Sequence, residues 1–88
     1  MAGRLLLQLI ADGRLPTGTE LFHPARLHSD SEVTGWVVPG GIEVNGHVYR
    51  SPSTAARAVT RSAGENGWLW WRLRETGLPL AVLRGHEG

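Results

Sequence analysis

The chain is 88 residues long, 41% hydrophobic and 19% charged, with a formal net charge of +1. Those values describe one globular domain spanning residues 1–88 with a modest single core, and they exclude wholesale disorder. Cysteine is absent and all nine basic residues are arginine; disulfides and thiolate metal sites are thereby excluded, and the cationic side chain present is the one suited to bidentate phosphate or guanine contacts.

Arg4 to Asp12 reads as a helix, with Gly13 as its C-terminal cap. Leu5, Leu6, Leu7, Leu9 and Ile10 make it apolar nearly all round. Such a helix is either deeply buried or packs on a second copy or another protein along Leu5 to Ile10. The apolar run is interrupted by Gln8 and is too short to span a bilayer. No small-residue cleavage site follows it, so a signal peptide is not expected either. The expectation is a cytoplasmic protein with no membrane partner.

Leu15 to Thr19 is turn chemistry, and Glu20 to His23 is a first strand stopped by Pro24. Ala25 to Ser31 is polar and unpatterned, an expected exposed loop. His23, His28, Asp30 and Glu32 are residue types that ligate cations. Their spacing matches no ligand motif, so a solvated loop is expected and a metal site is not. Val33 to Val38 is a second strand. Ile42–Val44 and His47–Tyr49 then flank Asn45-Gly46, the pattern of a two-residue hairpin. Its register pairs Ile42 with Tyr49 and Val44 with His47.

Ser51 is placed to cap a helix through its hydroxyl, and Pro52 suits the first helical position, where no N–H is needed. Ala55, Ala56, Ala58 and Val59 give that helix a small apolar face. Arg57 and Arg61 lie four apart and share a face, repelling by roughly 0.2–0.5 kcal/mol. An anionic partner would remove that cost; a merely solvated face is the competing reading. Gly64 to Gly67 ends the helix and turns the chain. Trp68 to Leu73 alternates as a strand. Period two puts Trp68, Trp70 and Arg72 on one face and Leu69, Trp71 and Leu73 on the other, the second set being the expected core. Glu75-Thr76-Gly77 is a turn, Leu78 to Arg84 a short closing helix and 85–88 a tail. Together these elements predict an α+β fold: an antiparallel sheet of four or five strands with N-terminal, central and short C-terminal helices packed on it.

Ser-Pro-Ser-x-Ala-Ala (Ser51 to Ala56), preceded by a hairpin ending in Tyr49 and followed by Asn66-Gly67-Trp68-x-x-Trp71, resembles the RAMA domain. That family takes its name from association with restriction enzymes and adenine methylases. The likeness runs from about Leu15 to Arg84, most of the chain. It implies a non-enzymatic module that reads DNA, modified DNA especially, in restriction and related systems, with no cofactor.

The residues by themselves suggest how DNA could be held. A helix start offers free N–H groups to a phosphate, and Ser51, Ser53 and Thr54 add hydroxyls there. Arg50, Arg57 and Arg61 supply salt-sensitive attraction. A methylated base would need an apolar surface, for which Trp68 or Trp70 is the candidate, with Asn66 and Arg72 beside them. The alternative is a protein-interaction or dimerisation module using the first helix and exposed tryptophans, since aromatics and arginine also anchor interfaces. No nucleophile–base pair or phosphate loop is present, so no catalytic residue is expected.

Overall fold

The structure is a computed structural model that describes residues 2–24, 32–61 and 64–84. The loop expected over 25–31 and the tail expected over 85–88 lie outside the described residues. Helix α1 (Ala2–Ala11) ends as the sequence predicts. Gly13 takes the left-handed conformation at φ 80°. The N–H groups of Arg14 and Gly13 return to the carbonyls of Leu9 and Ile10, at 3.0 and 3.2 Å. This Schellman pattern satisfies carbonyls that the helix end would otherwise leave open.

Five strands follow the alternation of apolar and polar residues: β1 (Glu20–His23), β2 (Val33–Val38), β3 (Gly41–Val44), β4 (His47–Tyr49) and β5 (Arg72–Leu73). They form one antiparallel sheet in the order β4-β3-β2-β1-β5. The β3–β4 hairpin has the expected register, Ile42 opposite Tyr49 and Val44 opposite His47. Asn45 and Gly46 both have positive φ, 52° and 86°, as a type I′ turn requires. The helices cover one face of the sheet. Leu21, Val37, Ile42 and Val44 on that face share a core with Leu6, Leu9, Ala55, Ala56 and three tryptophans.

Helix α2 (Pro52–Thr60) starts as predicted, with Ser51 accepting from the Thr54 N–H at 3.1 Å and Pro52 in the first turn. Its end does not follow the expectation. The helix stops at Thr60, and Arg61 is the C-cap in the left-handed region, φ 61°. Arg61 therefore does not extend a helical face with Arg57.

The larger correction concerns the tryptophan segment. Instead of a strand from Trp68, residues Gly67–Trp70 form a one-turn helix, α3, and only Arg72–Leu73 is strand. Asn66 caps the turn by accepting from the Trp68 N–H at 3.1 Å. Strand alternation would separate Trp68 and Trp70 from Trp71 across the sheet. A helical turn instead lets all three point inward, at 5%, 8% and 0% exposure, and leaves Leu69 outside at 59%. The expected core trio of Leu69, Trp71 and Leu73 thus loses Leu69. Gly67 is what permits the arrangement: a Cβ there would fall 2.0 Å from the Pro52 carbonyl. After β5 the chain turns and comes back along it. Leu73 N–H meets the Leu78 carbonyl (2.8 Å), Arg72 bridges Pro79, and Leu80 N–H meets the Trp71 carbonyl (2.9 Å). A 3-10 helix, Leu80–Arg84, closes the described chain.

Gly67→Ala is expected to cost about 1–3 kcal/mol or more, since backbone rather than a flexible side chain blocks the added methyl. Urea unfolding measures it, and an unchanged midpoint would show that α3 does not bear on α2 as described.

Candidate nucleic-acid interface

A groove of about 600 Å³ opens on the helical side of the molecule, lined by Leu5, Ser53, Arg57, Gly64, Glu65, Asn66, Trp68 and Arg84. Its volume lies within the usual range for binding sites, about 300–1,000 Å³. Four of the predicted site residues meet here: Ser53, Arg57, Asn66 and Trp68. They converge because α3 rests on the first turn of α2. Ser53 Oγ accepts from the Gly67 N–H at 3.0 Å, and Trp71 Nε1 donates to the Pro52 carbonyl at 3.1 Å.

The remaining predicted residues are placed otherwise. The Ser51 hydroxyl is buried and engaged, bonded to the Thr54 N–H (3.1 Å) and to the Thr54 hydroxyl (2.8 Å). With Ser51 on the first turn and Gly67 against it, the α2 N-terminus is not the open anion cradle expected from sequence. Arg50, Thr54 and Arg61 are exposed but do not line the groove. Trp70 is buried away from it, stacked flat on His23 with centroids 3.9 Å apart and edge-on to Trp71. His23 donates from Nδ1 to the Trp70 carbonyl at 2.8 Å, a bond that serves the fold. Arg72 is half-buried and donates to the Gly77 carbonyl at 2.9 Å.

Sequence reading missed Leu5, Gly64, Glu65 and Arg84. The near-continuous apolarity of α1 was a signal for Leu5, which packs partly on the core. No local signal marks Arg84; the fold brings it there by seating the 3-10 helix beside α3. Its guanidinium lies 5.2 Å from the centre of the Trp68 ring.

Chemically, the groove offers two guanidinium groups, one carboxylate, an amide and an aromatic edge. Arg57 and Arg84 form no ion pair with any described residue; both described ion pairs belong to Arg74. Asn66 spends Oδ1 on its helix cap, so its amide NH2 is the part left to offer a ligand. Glu65 can accept from an exocyclic amino group, the type of contact a carboxylate makes with a base. Trp68 is almost fully buried and presents a rim rather than a stacking platform. Among the described residues no group of three potential metal ligands occurs, and Glu32 is held by Arg74; His28 and Asp30 lie outside the described residues. No described helix is long and apolar enough to cross a membrane.

Comparison with known families matches residues 3–86 to RAMA, described as Restriction Enzyme Adenine Methylase Associated. The chain belongs to that family, and the match covers α1 as well as the part that the motifs had indicated. No curated protein and no solved structure matches it.

Arg74 holds Glu32 below the ordinary carboxylate range, chiefly through its hydrogen bond. A lowered folded-state pKa contributes stability that is present above the unfolded value, about 4.3, and is lost as pH falls through the lowered one. Thermal midpoints from pH 7 to pH 3 should therefore fall less steeply for Glu32→Gln than for the parent chain. Superimposable profiles would show the pair to be inert.

Proposed function

We propose that this domain is a non-enzymatic DNA-binding module of the cytoplasm that reads modified DNA, with the groove beside α2 and α3 as its contact surface. One observation carries the reading: two arginines without ion-pair partners among the described residues converge on a groove that also holds an amide donor and an aromatic rim. Arg57 and Arg84 meet phosphates there, supplying sequence-independent attraction. Asn66 and Glu65 meet base edges, which carry the sequence information. Leu5 and the rim of Trp68 supply apolar surface for an added methyl group, the role considered above for Trp68 or Trp70. Membership of a family named for restriction enzymes and adenine methylases supports the same partner.

The competing reading, a protein-interaction or dimerisation module, would use α1 and exposed tryptophans, and its α1 part needs a bare apolar stripe along Leu5 to Ile10. Leu6 and Leu9 are buried, while Leu5 and Ile10 are partly buried against the core. None of the exposed large hydrophobic residues lies on α1.

Fluorescence-polarisation binding to matched duplexes, with and without N6-methyladenine across a salt series, tests the proposal. The parent chain should bind the methylated duplex more tightly, by about fourfold for one buried methyl at about 0.8 kcal/mol. Replacing both Arg57 and Arg84 by alanine should flatten the logarithmic salt slope by about 1.8, while Arg74→Ala should leave it unaltered. Equal affinity for both duplexes would reduce the module to a plain DNA binder. No binding at low salt would sink the proposal in favour of a protein partner.

A further inference from the structure

The face of the sheet that the helices leave uncovered carries two arginines, Arg72 opposite Phe22 and Arg74 two residues on. Arg74 lies over the Phe22 ring, 4.2 Å from its centre. Its Nε donates to Glu20 at 3.1 Å, and Nη1 and Nη2 donate to Glu32 at 3.0 and 2.6 Å. An aromatic ring beneath the cation and carboxylates beside it combine cation–π attraction with charge-assisted hydrogen bonds.

The same combination recurs two residues away. Trp36 stands opposite Glu20 on β1 and opposite Glu43 on β3, and Glu43 in turn stands opposite Val48 on β4. Directly paired residues share a face, so Glu20, Trp36, Glu43 and Val48 form one row across four strands. Trp36 is 45% exposed, and Val48, on the other side of Glu43, is exposed as well. Glu43 forms no ion pair with a described residue. Here the ring and the carboxylate are present, and no cation of the described residues lies on them.

We infer that this row is a docking site for a basic segment of a partner protein, taking an arginine or lysine side chain on the Trp36 ring with its charge against Glu43. Charge complementarity selects that occupant. Nucleic acid would be repelled by Glu43, the carboxylate of the row that no described arginine holds, and a wholly apolar segment would leave it desolvated and unpaired. Arginine suits the row better than lysine, because its planar group both stacks on a ring and matches a carboxylate. Val48 provides apolar surface for the aliphatic stem. The groove proposed for DNA is built from helices on the other side of the sheet, so the inference stands independently of it.

The test is a nuclear magnetic resonance titration of the 15N-labelled chain with an amidated peptide of alternating arginine and glycine. Four indole N–H signals report on the four tryptophans. The Trp36 indole and the Glu43 amide should shift saturably while the Trp70 and Trp71 indoles stay fixed. Trp36→Ala should weaken binding about fivefold and Glu43→Gln about threefold, with the unmoved Trp71 signal confirming an intact fold. A peptide with glutamate in place of arginine should produce no shift. Shifts confined to other positions, or equal affinity in both variants, would overturn the assignment. A Trp36 signal that moves with protein concentration alone would also overturn it, making a second copy the occupant.

Discussion

Trp71 is the side chain on which the molecule closes, and it is fully buried. Its ring lies so near β2 that a Cβ at Gly35 would sit 3.0 Å from it. Its indole N–H ties to Pro52 of α2, its backbone N–H to Gly67, and its carbonyl to Leu80 of the 3-10 helix. Truncating so large a buried ring typically costs about 3–5 kcal/mol, a large share of the ~5–15 kcal/mol that holds a domain folded. The geometry of the groove follows from this anchorage. Because Trp71, through its indole and its backbone, ties α3 and the 3-10 helix to the start of α2, Ser53, Arg57, Asn66, Trp68 and Arg84 are held on one opening.

Local chemistry made much of this readable in advance. Asn45-Gly46 dictates its own turn and therefore its hairpin register, and Ser51-Pro52 dictates a helix start whatever surrounds them. The tryptophan segment was not readable in the same way. Four residues satisfy a strand and a helical turn about equally, and the choice rests on whether Gly67 can approach Pro52, a contact between segments far apart in sequence. The end of α2 was obscure for a related reason. Arg61 takes a left-handed conformation usually given to glycine or asparagine, and nothing in its side chain announces it. Arg84 joined the groove through tertiary packing alone.

The fold also sorts arginines that look alike in the sequence. Arg72 is committed to a carbonyl and Arg74 to two carboxylates and a phenyl ring. Arg57 and Arg84 remain on an open surface next to polar groups with hydrogen-bonding capacity to spare. Net charge is nearly neutral, so any attraction for an anion depends on this local placement rather than on the molecule as a whole.

The two borders of the sheet are unequal. Beyond β5 the returning segment pairs through Leu78 and Leu80 and has between them Pro79, a residue with no N–H to give. Beyond β4 lies a border only three residues long, between a tight turn and the Ser51 cap. Open-ended strand stacking needs two receptive borders on every copy. With one of them sealed, association through backbone pairing would stop at a closed pair, so the architecture carries its own barrier against growing into fibres.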